Sequence, residues 1–348
     1  MSKKVKVGII GLGFMGITHF RIYQSNPKAE VVAIADVDLA KLKGDISSII
    51  TNIGDGDNSK PLPLDGIKTY TDAMDLIQDP DVELVDICAP VYMHRKYAIL
   101  ALKLNKHVLC EKPLGSNRDD AEAIVAASEK SNGFLMVGMC IRFWPEYKYA
   151  SELIKSGKAG KVISATFKRL SPNISGNSWE NWFMKADLSR GAIYDLHLHD
   201  TDIIRSFFGM PSAVTSFGVK GVRSDKGIDH VVTRYDFGDD LLVVAEGGWD
   251  ASKSTPFEMS FQIVCENMTI RFSETGYKIC KEDGTVETPS VADPSLPTGW
   301  HGEIDYILNG ILSNKDPQDA APLHEILDSI KIVEAEIASV NKKETVQI

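Results

Sequence analysis

The stretch "KVGIIGLGFMGITHF" constrains the fold more tightly than any other part of this chain. Lys6–Ile10 reads as a buried strand, and Gly11-Leu12-Gly13-Phe14-Met15-Gly16 follows it with the spacing G-x-G-x-x-G. An amphipathic helix begins at once. Each glycine has its own physical task in that setting. Gly11 permits a tight turn, Gly13 lets backbone approach a pyrophosphate, and Gly16 lets the helix lie close on the strand. The helix start, with Phe14 and Met15 in its first turn, then offers N–H groups and a positive dipole to an anion. Glycines also cluster in ordinary turns, so this spacing counts only because a strand precedes it and a helix follows.

A second feature supports the first. Asp36 ends the next apolar run, "VVAIAD", twenty residues beyond Gly16. A carboxylate there accepts hydrogen bonds from ribose 2′- and 3′-hydroxyls and repels a 2′-phosphate. No arginine stands beside it in the sequence, so NAD is expected in preference to NADP. Together the two features predict a dinucleotide-binding Rossmann domain.

The chain has 348 residues, more than one core usually serves, so two domains are expected. Strand and helix signals alternate through the first part, and continuous apolar strands between amphipathic helices indicate a parallel sheet covered on both faces. Thr51–Gly66, rich in Gly, Asp, Asn and Pro, reads as a surface loop. Near Cys140 the pattern changes to longer strands with short turn-rich connections, as suits an antiparallel sheet. One helical segment, around Gly191–Phe208, interrupts these strands, and two more helices close the chain. The expected architecture is an α/β Rossmann domain with a parallel sheet over residues 1–138. An α+β C-terminal domain with an open, mostly antiparallel sheet is expected over residues 139–348.

Composition excludes some partners. The net charge is −10 and no long Lys/Arg run is present, which argues against nucleic acid and anionic membrane surfaces. The five cysteines are scattered in apolar runs without a C-x-x-C pair, as buried reduced thiols would be. The N-terminal apolar run is short and broken by glycine, unlike a targeting signal, and a cytoplasmic location is expected.

Two further motifs carry chemistry. In "HVLCEKPLG" an apolar strand runs straight into Glu111, Lys112 and Pro113. A solvated strand end is the plain reading; the other is that this edge of the sheet holds a ligand, because ligands sit beyond the carboxyl ends of strands in open α/β sheets. "YDLHLHDTD" places Asp195, His199 and Asp202 at i, i+4 and i+7, one face of a helix, with His197 turned away. In a strand, Asp195, His197 and His199 would share a face and suit a divalent metal. Ile193, Leu196, Ile203, Ile204 and Phe207 are spaced as a buried helical stripe, which favours the helix and no metal.

With these residues in view, the chain resembles the Gfo/Idh/MocA oxidoreductases along nearly its whole length. The resemblance rests on the glycine loop, "ICAPVYMH" (Ile87–His94), "HVLCEKPLG", "IRFWPEY" (Ile141–Tyr147) and "RGAIYDLHLHDTD" (Arg190–Asp202). It implies hydride transfer between a tightly held nicotinamide cofactor and a hydroxyl carbon of a sugar, inositol or related polyol, and a homodimer or homotetramer. It also implies that Lys112, Asp195 and His199 are catalytic. Lys112 would stabilise a developing alkoxide, His199 would take the hydroxyl proton, and Asp195 would position substrate. Asp202 would help orient the His199 ring. The resemblance implies a frequently cis bond before Pro113, and places Pro90, His94 and Glu111 at the cofactor.

Other residues are open between two readings. His94 either borders the cofactor or covers its helix. Arg142 either reaches cofactor or substrate or forms an internal salt bridge, and Trp182, with Trp179, is either a sugar-stacking wall or core. His197 is chiefly structural by its position. His19, His107, His230, His301 and His324 carry no functional expectation. Two alternatives to a dehydrogenase remain: a glycosidase that uses NAD without net redox change, and a sugar or cofactor sensor without catalysis.

Overall fold

The computed structural model describes residues 3–49, 58–291 and 293–348. The chain divides into two compact units: Met1–Cys140, Gly176–Glu180 and Trp300–Leu323 form the first, and Ile141–Ser175, Asn181–Gly299 and His324–Ile348 form the second.

The first unit is built on six strands: β1 (Val5–Ile10), β2 (Ala29–Ala35), β3 (Lys68–Tyr70), β4 (Leu84–Ile87), β5 (His107–Glu111) and β6 (Leu135–Gly138). Every pairing is parallel, in the order β3-β2-β1-β4-β5-β6. The order reverses between β2-β1 and β4-β5, the place where such sheets open a crevice at their carboxyl edge. β4 and β6 are buried at every position, as strands covered on both faces must be. The connecting helices are α1 (Phe14–Ser25), α2 (Ala73–Gln78), α3 (Val91–Lys103) and α4 (Arg118–Ser128). Asn117 caps α4 by accepting the Asp120 N–H at 2.9 Å. Of the predicted Thr51–Gly66 loop, residues 51–57 lie outside the described residues. Residues 58–66 form turns without strand or helix, and buried Leu62 donates its N–H to the Gly44 carbonyl at 2.9 Å.

In the second unit, α5 (Pro145–Lys155) precedes the long strand β7 (Val162–Pro172), and the short helix α6 (Ala186–Ser189) precedes α7 (Leu198–Phe208). Strands β8 (Ala213–Lys220), β9 (Ile228–Asp236), β10 (Leu242–Ala251), β11 (Glu258–Cys265), β12 (Met268–Ser273), β13 (Gly276–Lys281) and β14 (Val286–Glu287) follow. Helix α8 (Gly299–Ser313) lies almost wholly in the first unit; α9 (Leu323–Lys342) and β15 (Val346–Gln347) complete the second. The nine strands pair as β14-β13-β12-β11-β7-β10-β9-β8-β15, antiparallel except for β7 with β10. The parallel sheet and the mostly antiparallel sheet are the two predicted ones. Along β7, Ala165, Phe167, Arg169 and Ser171 are buried while Thr166 and Lys168 are exposed, so one face meets the core.

The segment around Gly191–Phe208 departs from the single regular helix expected there. Ile193–His197 is a π-helical turn that runs into α7. Two close approaches fix it. Gly191 has φ +87, and a Cβ there would meet the Ile228 backbone N and O at 2.8 Å. His197 lies so close to β10 that a Cβ on Gly247 would come 2.7 Å from its Nδ1. Both ends of the turn thus lie close against the second sheet, and π turns are frequent at functional sites.

Candidate functional site

The glycine loop has the geometry an anion requires. Gly11 adopts φ +88, and a Cβ there would sit 2.7 Å from the Cys88 carbonyl oxygen. A Cβ on Gly16 would come 1.8 Å from the Gly11 carbonyl, so only glycine allows the helix this close. The Cβ direction of Gly13 is open space, the cradle that a side chain would fill. Gly13 is the N-cap of α1, and as glycine it offers no side chain to cap the N–H groups that follow, at Phe14 and Met15.

Asp36 braces that loop from the end of β2. Its Oδ2 accepts the Leu12 N–H at 2.6 Å and its Oδ1 accepts the Asp38 N–H at 2.8 Å. Lys41 Nζ lies 3.6 Å from Oδ2. The cation beside Asp36 is thus a lysine, which a search for a neighbouring arginine overlooks. Its signal in the sequence is faint: Lys41 opens a short turn ending at Gly44, in the left-handed region at φ 90. A dinucleotide fits the open loop, the uncapped helix start and the carboxylate.

The strand end of β5 explains its own odd composition. Glu111 is buried and turned inward, and its Oε2 accepts the Lys112 backbone N–H at 3.0 Å. Lys112 is half-buried, and the Lys112–Pro113 bond is cis. His94 on α3 is buried, with Nδ1 2.8 Å from the Pro113 carbonyl oxygen and Nε2 2.8 Å from that of Ala89. It therefore ties the Pro113 turn to the turn at Pro90, the N-cap of α3. Burial lowers its pKa against the pull of these carbonyls. A carboxylate, an imidazole and an X-Pro turn thus fix the backbone that carries the Lys112 ammonium.

In the second unit, half-buried Asp195 stands on the π turn, where its N–H meets the Gly191 carbonyl at 3.2 Å. His199 follows on α7, 9% exposed. Asp202, expected to help orient the His199 ring, is taken up elsewhere. Its Oδ2 accepts Arg142 Nε at 2.7 Å, and its Oδ1 accepts Arg142 Nη2 and Ser329 Oγ, each at 2.8 Å. Arg142 also donates to Glu325 Oε2 at 2.6 Å, so it sits in an internal ion-pair network. Burial works against its charge, and Asp202 and Glu325 more than restore it. Asp200, with no signal in the sequence, is fully buried and held bidentate by Arg169, at 2.9 Å on each oxygen.

His197 is structural in its contacts. It is fully buried, with Nε2 3.2 Å from Tyr235 Oη and 3.5 Å from Glu336 Oε2. Because the segment is helical, His197 and His199 do not form the strand-like His-x-His pair that would suit a metal. Trp182 is half-buried and stacks on Phe183, ring centroids 4.1 Å apart, while Trp179 is largely exposed. Among the described residues, no helix is long and apolar enough to cross a membrane.

Comparison with known proteins accords with this geometry. Residues 5–139 match the model of an oxidoreductase family with an NAD-binding Rossmann fold, and residues 147–271 match the GFO/IDH/MocA C-terminal domain. Levoglucosan dehydrogenase of Pseudarthrobacter phenanthrenivorans is 29% identical over 220 residues, 62% of this chain and 54% of that protein. The 2,7-anhydro-N-acetylneuraminate hydratase of Escherichia coli is 27% identical over 231 residues, 64% of this chain and 55% of that protein. The chain thus spans about half the length of these two relatives. Inositol 2-dehydrogenase of Acidothermus cellulolyticus is 27% identical over 280 residues, 77% of this chain and 73% of that protein. A solved levoglucosan dehydrogenase, in complex with NADH and levoglucosan, shares the fold with TM-score 0.83 at 21% identity, over 99% of this chain and 100% of the other. A loop shaped for a dinucleotide and a strand end built around Glu111-Lys112-Pro113 are thus found where both halves match one family: the chain belongs to the Gfo/Idh/MocA oxidoreductases.

Proposed function

We propose that this oxidoreductase transfers a hydride between NAD and a hydroxyl-bearing carbon of a sugar, inositol or related polyol. Bound nicotinamide supplies the hydride acceptor or donor. His199 takes the hydroxyl proton, a step an imidazole performs as general base. Lys112 donates to the same oxygen and stabilises its developing charge, and Asp195 accepts hydrogen bonds from substrate hydroxyls. The observation that carries this reading is Lys112. Its ammonium stands at the carboxyl end of a parallel strand in an NAD-binding sheet, on a turn held by Glu111 and His94. The named relatives, dehydrogenases of levoglucosan and inositol, support a polyhydroxylated substrate.

The test is a panel of inositols, aldoses, anhydrosugars and sugar acids with NAD and NADP, followed by absorbance of reduced nicotinamide. Lys112→Ala and His199→Ala should each lower kcat by about a hundredfold to ten-thousandfold while cofactor binding stays near normal. The double variant should lose little more than the worse single one, since both act on one step. Near-normal turnover in both single variants removes the assignment.

A second reading draws on the relative named as a hydratase. Conversion of a glycoside or anhydrosugar without accumulation of reduced nicotinamide would select it. As to assembly, we propose a homo-oligomer: Phe217 and Val219 on β8 are 70% and 51% exposed, and a second copy would cover them.

A further inference from the structure

The first unit contains a buried group of charges that the proposed hydride transfer does not use. His19 on α1, Asp86 on β4 and Glu303 on α8 are fully buried, and Glu111 on β5 is 6% exposed. His19 Nδ1 lies 2.8 Å from Asp86 Oδ2. A carboxylate only accepts, so Nδ1 carries a proton. On the other side of the ring, Nε2 faces Glu111 Oε1 at 3.4 Å and Glu303 Oε1 at 3.6 Å. With both carboxylates ionised a bare lone pair there would repel both oxygens, whereas an N–H attracts both.

The ring cannot satisfy the group alone. Glu111 Oε1 and both oxygens of Glu303 are buried without a hydrogen-bond partner among the described residues. One ring nitrogen of His19 and one carboxylate oxygen each of Glu111 and Glu303 lie within 4.8 Å of one another. Three carboxylates against one imidazolium leave excess negative charge in a space without water's screening, so a proton remains on one of them. Burial, then the Glu111 carboxylate, raises the Glu303 pKa well above the usual value. Burial alone would lower His19, but Asp86 and then Cys88 outweigh it and raise its pKa. The remaining faces of the group are Cys88, whose Sγ is 3.5 Å from His19 Nδ1, and the Tyr23 ring, edge-on to His19 at 6.5 Å.

We propose that His19 and Glu303 are positioning residues for Lys112: Glu303 shares a proton with Glu111, and Glu111 holds the backbone N–H that sets the Lys112 turn. The proposal rests on reading Lys112 as the substrate-facing amine. Glu111 is built for both contacts, since Oε2 accepts the Lys112 N–H while Oε1 points to His19 and Glu303. Gly138 on β6 leaves the room, because a Cβ there would come 3.2 Å from Glu111 Oε1. Ionisation of Glu303 sets two carboxylates against each other and drives Glu111 off the Lys112 N–H. Alkaline pH therefore loosens the turn before it affects the glycine loop.

The test follows the Lys112 amide by NMR in the isotope-labelled full chain, from about pH 6 to about pH 10, beside kcat, KM and the Kd for NAD. Glu303→Ala should speed exchange of that amide about fivefold, the loss of one hydrogen bond. It should lower kcat about tenfold or more, as misplaced catalytic groups do, with the Kd for NAD within about threefold. Glu303→Gln, whose amide donates at every pH, should recover most of both losses and abolish the alkaline titration of the Lys112 signal. An unchanged Lys112 amide in Glu303→Ala, or an alkaline titration that persists in Glu303→Gln, overturns the proposal. Should the alanine variant not fold, the titration in the glutamine variant decides alone. Turnover of Lys112→Ala judges the separate reading of Lys112, and the amide measurements stand whatever that turnover is.

Discussion

Buried charge is handled in opposite ways beside Lys112 in the first unit and on α7 in the second. In the second, each buried carboxylate on α7 meets a guanidinium: Arg169 grips Asp200 through two hydrogen bonds, and Arg142 grips Asp202 while also reaching Glu325. Arginine stays charged at every accessible pH and presents a planar fork that matches a carboxylate. In the first unit, Asp86, Glu111 and Glu303 gather around a single imidazole, His19. Imidazole and carboxyl groups change charge with pH, and burial moves their pKa values toward the working range. The contrast is one of chemistry: the guanidinium pairs keep their charge at every accessible pH, while the titratable group lies against the carboxylate that accepts the Lys112 N–H.

The largest expected effect separates the two designs by stability. Arg169→Met leaves the fully buried Asp200 carboxylate without its cation and should cost about 3–5 kcal/mol in urea unfolding. Adding Asp200→Leu should return much of that loss, because the penalty lies in the stranded charge more than in the lost bond. Glu303→Gln, by contrast, replaces a carboxyl group that already holds a proton, and should cost far less at neutral pH. Equal losses for the two single variants would break the distinction.

A middle-sized effect concerns pH. The folded-state pKa of His19 is raised, so its stabilising proton is fully present below the unfolded value near 6.5 and lost as pH rises through the folded value. Glu303 is also raised, and its contribution falls in the same direction from its unfolded value near 4.5 upward. A tenfold gain in proton affinity on folding is worth about 1.4 kcal/mol. Hydrogen exchange by mass spectrometry should therefore show peptides of α1, β4 and β5 losing protection as pH rises above about 6.5, after correction for intrinsic rates. Peptides of β7, which carries Arg169 and no histidine, should hold theirs, since the Arg169–Asp200 pair does not titrate there. A parallel loss in both sets would place the pH dependence outside the His19 group.

The reach of the sequence follows from the distance over which each feature is encoded. The strand–glycine loop–helix unit and the parallel sheet were legible because local spacing and strand–helix alternation carry them. The inward turn of Glu111 was not, since a charged residue at a strand end looks the same whether it faces water or a buried imidazole. Glu303 is far from His19 in the chain, and only the folded sheet brings them together. One clue to His19 did exist: with Gly16, Phe20 and Tyr23 it falls on the buried stripe of α1, a titratable group on an apolar face. The π turn left no trace, because the apolar spacing over Ile193–Phe207 suits an ordinary helix as well, and its close contacts, of Gly191 with Ile228 and of His197 with Gly247, join it to strands later in the chain. The pairing of Asp202 was hidden for the same reason, as its partner Arg142 lies before the strands of the second sheet.

The smallest effect tests an intermediate case, the pair of Asp36 and Lys41. Lys41 is a single ammonium 3.6 Å from Oδ2, and Asp36 keeps two backbone N–H donors without it. Lys41→Ala should therefore lower stability by less than the loss of Arg169, because the Asp36 carboxylate keeps both of its hydrogen bonds. Its consequence belongs to cofactor choice. Asp36 can still accept from ribose hydroxyls, so the Kd for NAD should stay within about threefold. A 2′-phosphate would meet Asp36 without the nearby positive charge, and one such charge contact is worth about 1–4 kcal/mol. The Kd for NADP should then weaken by about tenfold or more. If NAD and NADP weaken alike in titration calorimetry, Lys41 braces the turn around Asp36 rather than tuning the choice, and belongs with the fixed charges after all.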